Sequence, residues 1–162
     1  VMGRKVLHTG DLGSASILKV ITNYLASVHL VALGEAWTVA KKSNLDLAKT
    51  YKGIMASSGN SFVHETESQV ILNGSYNINF TMDLVLKDTG LFDDLAKKLK
   101  APLEISPLVV DIFKDGQKKY GSKAWSSMIV KRMEDINKID FRANGFPEEL
   151  IDSESEEIGY EI

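Results

Sequence analysis

Ser14–Lys42 reads SASILKVITNYLASVHLVALGEAWTVAKK, and this stretch decides the fold. Ala15, Leu18, Ile21, Tyr24 with Leu25, Val28, Ala32, Ala36 with Trp37, and Ala40 recur at steps of three and four, the period of one helix face. At 1.5 Å per residue such a helix spans roughly 40 Å. Ile17, Leu30, Leu33 and Val39 add apolar side chains to its other faces. A helix that is apolar nearly all round is expected at the centre of a bundle, buried by its neighbours.

Five more helices are expected around it. Asn44-Leu45-Asp46 is a turn, with Asp46 as N-cap of a helix to about Ser57, and Ser58-Gly59-Asn60 breaks the pattern. A third helix runs from about Ser61 to Leu72, stopped by Asn73-Gly74. A fourth covers about Thr81 to Lys100, with lysines in its last turn, where the dipole favours cations. Ser106-Pro107 opens a fifth helix to Tyr120, closed by Gly121, and a sixth covers about Trp125 to Asn137. Lys5-Val6-Leu7-His8 reads as a short extended piece. There is no repeat of 20–50 residues and no strand–helix alternation. The expected fold is all-α, about six helices around one long central helix.

Composition narrows the function. The chain has 162 residues, 44% apolar and 25% charged, enough for a real core. With no cysteine there is no disulfide framework, thiolate metal site or Cys nucleophile, and a cytoplasmic setting is the expectation. A net charge of -3 argues against a nucleic-acid partner held by phosphate neutralisation. No uninterrupted apolar run reaches the roughly 18–20 residues of a membrane span, and no membrane partner is expected. Arg4 and Lys5 lead into a strand-like pair, not the apolar run of a signal peptide. The chain begins with Val1, so an upstream segment is expected. Residues 147–162 carry seven acidic residues and no Lys or Arg, leaving 1–146 with a net charge of +4. Residues 138–162 are expected to be an acidic, solvated tail.

The chemistry lies in Gly10–Asn23. Gly10 and Gly13, three apart, precede a helix start, where positive φ and unpaired N–H groups are useful. The G-x-G-x-x-G spacing of a dinucleotide loop is absent. Lys19 and Asn23 are four apart and project from one face. A lysine on an apolar helix is costly unless paired or near the surface, and burial would make it a usable acid or base. On spacing alone, a snorkelling lysine and a capped-off asparagine at the bundle surface are the favoured reading of the pair.

The segment resembles the start of the C-terminal domain of the β-hydroxyacid dehydrogenases, the family of 3-hydroxyisobutyrate dehydrogenase, related to 6-phosphogluconate dehydrogenase-like proteins. The family pattern is roughly G-x-x-G-x-G-x-x-x-K-x-x-N-N. Gly10, Gly13, Lys19 and Asn23 match it; Ala15 stands at the third Gly and Thr22 at the first Asn. Glu35-Ala36 with Ala40 and Leu45-Asp46 resembles the run "EA…A…G-L-D", and Ser57-Ser58-Gly59 resembles "SSG". Phe80 followed by Lys87-Asp88 resembles "F-x₆-K-D". Tyr120-Gly121 through Trp125-Ser126-Ser127 resembles "G-x-x-D-[FY]-S", with Ala124 at the usual Asp. The resemblance covers about residues 5–135.

It implies an all-helical substrate domain in residues 1–137. It implies Lys19 as general acid/base, Asn23, Phe80 and Asp88 at the substrate, and Lys87 at the cofactor, NAD or NADP. The substrate would be a small β-hydroxyacid or the matching semialdehyde, and the chain a homo-oligomer. The family's nucleotide-binding (Rossmann) domain precedes this one; its motif is absent here, so the chain alone is expected to be inactive. The competing reading is a stand-alone helical ligand-binding or protein-interaction module that has lost the chemistry.

Phe80 and Lys87, seven apart, share a face if the helix reaches Phe80; the plain alternative for Lys87 is an i,i+4 pair with Asp83. Glu35 lies roughly 160° around the helix from Lys19 and reads as structural. His8, His29 and His64 lack metal-ligand spacing, Asp93-Asp94 reads as solvated helix face, and Trp37 and Trp125 read as core.

Overall fold

Gly10 (φ 108°) and Gly13 (φ 99°) both adopt positive φ, which turns the chain sharply into its first helix. The computed structural model describes residues 5–151 and 160–161. The helices are α1 (Ser14–Lys42), α2 (Leu47–Met55), α3 (Phe62–Asn73), α4 (Met82–Leu99), α5 (Ile105–Tyr120) and α6 (Lys131–Asn137). A short 3₁₀ turn, Ser126–Ile129, precedes α6, where the periodicity had predicted one continuous helix from Trp125. The extended piece shortens to β1 (Lys5–Val6), which pairs in parallel with β2 (Tyr160–Glu161).

Local chemistry sets most helix ends. Asp46 caps α2 by accepting from Lys49 N at 2.9 Å, and Ser61 caps α3 by accepting from His64 N at 3.1 Å. Gly74 (φ 99°) ends α3 in the left-handed region. α5 departs from expectation: it starts at Ile105, ahead of Ser106-Pro107. Ser106 is buried and donates to Asp93 Oδ1 at 2.5 Å instead of capping, so tertiary contact takes the hydroxyl that local logic assigns to the cap.

α1 packs against each of the other five helices. Its buried residues, Ser27, Leu30, Leu33, Gly34, Trp37, Thr38 and Ala40, all lie in its C-terminal part. Of these, Leu30, Leu33, Trp37 and Ala40 form the core together with Ile71, Leu72, Val109, Phe113 and Phe141. Gly34 lets the chain at Val130 and Met133 approach α1 closely: an added Cβ would meet Met133 Cγ at 3.3 Å. The expectation of an all-round buried helix fails in the N-terminal half, where Ile17, Leu18, Ile21 and Leu25 are exposed. The pattern reports which residues are apolar, not what covers them. α1 also contains an 18-residue window with mean hydropathy 1.5, long and apolar enough by composition to cross a membrane. Counting uninterrupted apolar residues misses this, because an average tolerates scattered polar residues. Only 22% of that window is buried against the other helices.

The described residues beyond Asn137 pack against the body rather than trailing from it. Phe141 is fully buried, and its N–H donates to Glu134 Oε1 at 2.7 Å. Arg142 donates to the same oxygen at 2.9 Å and to Ile71 O at 3.1 Å. Tyr76 donates its hydroxyl to Glu134 Oε2. A buried carboxylate needs such partners, and the segment after α6 supplies two of them. Asp152, Glu154, Glu156 and Glu157, which make up much of the acidic tail, lie outside the described residues.

Candidate functional site

Lys19 and Asn23 leave α1 on one face, one turn apart, and meet Asp88 of α4. Lys19 Nζ donates to Asp88 Oδ2 at 2.7 Å, and Asn23 Nδ2 donates to the same oxygen at 2.5 Å. Asp88 is buried, with its side chain 3% exposed, whereas the Lys19 side chain is 54% exposed. The lysine is therefore paired and near the surface, with its ammonium within reach of a ligand. Burial pushes the Asp88 carboxyl up. The hydrogen bonds from Lys19 and Asn23, with the charges of Lys19 and Lys87, outweigh burial and hold it below the usual carboxylate value. Asp88 Oδ1 is buried without a hydrogen-bond partner, and Lys87 Nζ stands 3.5 Å from it.

Asn23 and Asp88 line a cavity of about 210 Å³ between α1, α3, α4 and α5. Phe80, Val85, Leu30 and Phe113 make its apolar wall, and Ser27, Ser126 and Glu67 add polar groups. The segment Tyr120–Ser127 folds onto the entry to α4. Ser126 N donates to Phe80 O at 2.8 Å, and Met82 N donates to Ala124 O at 3.0 Å. This strap places Phe80 and Ser126 in the cavity wall. Ala124 contributes backbone, which any residue type can do.

The sequence-derived residues thus converge unequally. Lys19, Asn23 and Asp88 touch one another, and Phe80 and Asp88 share the cavity. The expected shared helical face of Phe80 and Lys87 is absent, because α4 begins at Met82 and Phe80 lies in the preceding loop. Lys87 is an exposed cation at the rim, outside the cavity lining. It does not pair with Asp83, which is taken by Lys123 at 2.6 Å. Ser58 and Gly59 line a separate cavity with His29 and Leu33, and Glu35 is exposed. Trp37 is fully buried core. Among the described residues no group of His, Asp or Glu could hold a metal ion.

Glu67 and Ser27 were not singled out in the sequence, and Ser126 entered only as part of the G-x-x-D-[FY]-S resemblance. Glu67 carried a signal: it lies four residues from both Val63 and Ile71, so it is an acid on a buried apolar stripe.

A family model described as NAD-binding of NADP-dependent 3-hydroxyisobutyrate dehydrogenase matches residues 13–133. The L-threonate dehydrogenase of Escherichia coli K12 is 30% identical over 128 residues, which is 78% of this chain and 42% of that protein. The 2-(hydroxymethyl)glutarate dehydrogenase of Eubacterium barkeri is 28% identical, over 84% of this chain and 46% of that protein. A crystal structure of 3-hydroxyisobutyrate dehydrogenase from Salmonella typhimurium superposes with a TM-score of 0.68 at 30% identity, covering 74% of this chain and 42% of that one. The chain spans less than half the length of these relatives.

Proposed function

Because this chain belongs to the 3-hydroxyisobutyrate dehydrogenase family, we propose that it is the substrate-holding, proton-transferring domain of an NAD(P)-dependent oxidoreductase. It acts on a small β-hydroxyacid or the matching semialdehyde. The observation that carries this reading is the convergence of Lys19 and Asn23 on one oxygen of Asp88 beside a small, half-apolar cavity.

In this reading Lys19 is the general acid/base. It accepts the substrate hydroxyl proton in oxidation and returns it to the carbonyl oxygen in reduction. Asp88 positions Lys19 by holding its ammonium, and Asn23 holds a substrate oxygen beside it. Phe80 walls the cavity and keeps water from one side of the substrate. A nicotinamide dinucleotide, when bound, supplies the hydride acceptor or donor. The residues present fit such a group: Asp88 Oδ1 is an orphaned acceptor, and Lys87 is an exposed cation next to it. The main grip on the dinucleotide belongs to a nucleotide-binding domain outside this chain, so the 162 residues alone have negligible turnover. The exposed Ile17, Leu18, Ile21 and Leu25 form an apolar strip that a second copy covers in a homo-oligomer.

The test uses the natural polypeptide that contains this chain. Oxidation of small hydroxyacids with NAD or NADP is expected, and Lys19→Ala lowers kcat/KM by about 10²–10⁴-fold while the circular dichroism spectrum is unchanged. A Lys19→Ala variant within threefold of the parent overturns the assignment.

A further inference from the structure

Glu67 reaches the cavity from α3, and its Oε2 is shielded from solvent with no hydrogen-bond partner among the described residues. A fold rarely leaves a buried carboxyl oxygen unpaired, because its lost hydration goes uncompensated. Nothing in the scaffold needs a carboxyl there: its neighbours on the stripe, Val63 and Ile71, are buried hydrocarbon. Of the other polar groups, Ser27 Oγ donates to Asn23 O at 2.9 Å and Asp88 Oδ2 holds Lys19 and Asn23; Asp88 Oδ1, beside Lys87, is the second unpaired acceptor and lies next to the reacting end. The cavity extends along α1 from Asn23 past Ser27 to Leu30, about 10 Å from the turn next to Lys19. A substrate whose reacting carbon sits at Lys19 therefore projects its remaining chain along this cavity.

We infer that Glu67 selects the substrate's distal arm: its carboxyl hydrogen-bonds a hydroxyl on the carbon chain beyond the reacting centre, so the site prefers polyhydroxylated acids to acids with an alkyl arm. This rests on the function proposed above. Burial pushes the Glu67 carboxyl up to about 8, so at neutral pH it is protonated and can both donate and accept, as a hydroxyl can. The charged group sharing the cavity is Asp88, on α4, already neutralised by Lys19. On its own helix, His64 bonds Tyr51 O and Ser68, and Glu65 accepts from Asn60. The lining residues of α1, α5 and the 3₁₀ turn, among them Asn23, Phe113 and Ser126, are uncharged.

The experiment measures the ratio of kcat/KM for L-threonate to that for 3-hydroxyisobutyrate, which has no hydroxyl besides the reacting one, in the natural polypeptide. Above 1 in the parent, the ratio falls roughly 10- to 100-fold in Glu67→Leu and returns to within about threefold of the parent in Glu67→Gln, whose amide still donates and accepts. In the parent it also declines above about pH 8 as Glu67 ionises; in Glu67→Gln it stays flat. Taking a ratio cancels ionisations common to both substrates. A parent that prefers 3-hydroxyisobutyrate, or a ratio unmoved by Glu67→Leu, overturns the inference and leaves the proposed function standing if Lys19→Ala is inactive. Absence of turnover of any small hydroxyacid by the parent overturns the proposed function and this inference with it.

Discussion

Lys19 on α1 and Asp88 on α4 are 69 residues apart in the chain, and their charged atoms are 2.7 Å apart in the fold. The pair ties the exposed ammonium to a buried carboxylate. Asp88→Asn keeps the shape and removes the charge. In the natural polypeptide it is expected to lower kcat/KM about tenfold or more, because the lysine loses its anchor. It also changes acid stability. Asp88 has a folded pKa below its unfolded value of about 3.9, so its contribution is present above that pH and lost as pH falls below it. Urea denaturation from pH 5 to 2.5 is expected to show a shallower loss in Asp88→Asn than in the parent. Identical slopes would count against the pairing.

Asn23→Asp places a second carboxylate against Asp88 Oδ2, where the amide now donates at 2.5 Å. Two acids at that distance cannot both ionise, so one must take up a proton. The variant is expected to be less stable than the parent, and the deficit grows between pH 5 and pH 8 as that proton becomes harder to hold. Thermal midpoints at the two pH values check this; an equal deficit at both contradicts it.

His64 is fully buried between Tyr51 and Trp37, with ring centroids 4.8 and 5.8 Å away. Burial lowers its pKa, against the opposing effects of the Tyr51 carbonyl and Glu65. The unfolded chain therefore binds a proton here before the folded one does. Stability is complete above the unfolded value of about 6.5 and falls as pH drops from there toward 5. In His64→Gln the denaturation midpoint is expected to start lower at pH 7.5 and to change less over the same range. A His64→Gln slope as steep as the parent's assigns the effect elsewhere.

Phe141 lies past the last helix yet is completely buried. Phe141→Ala is expected to cost about 3–5 kcal/mol in equilibrium unfolding, the range for a large aromatic removed from a core. A cost under 1 kcal/mol would mean that the segment after Asn137 is dispensable for the fold.

Much of the bundle was legible in the chain because helix signals are local. The α1 period, the Asp46 cap, the α3 start near Ser61 and the Gly74 stop each act within a few residues, and each appears where the pattern put it. The failures are equally physical. Ser106 is a good cap by type, but a carboxylate on α4 competes for its hydroxyl. Residues 138–151 follow the last expected helix and group in the sequence with the acidic run 147–162, but Phe141 and Arg142 answer needs of Glu134 and Ile71.

The site divides along the same line. Lys19 and Asn23 could be paired from spacing, since a helix sets their common face. Phe80, Lys87 and Asp88 came from family resemblance, and no local rule says that Asp88 turns inward while Lys87 turns out to solvent. Glu67 was readable only as an acid on the stripe of Val63 and Ile71, and spacing does not say that a cavity lies in front of it. By itself, the sequence determined the helices, their approximate ends and the Lys19–Asn23 pair, all set by interactions within a few residues. The tertiary structure alone decided which carboxylate receives them, which half of α1 is covered and where an unpaired acid meets a cavity, because each depends on residues distant in the chain.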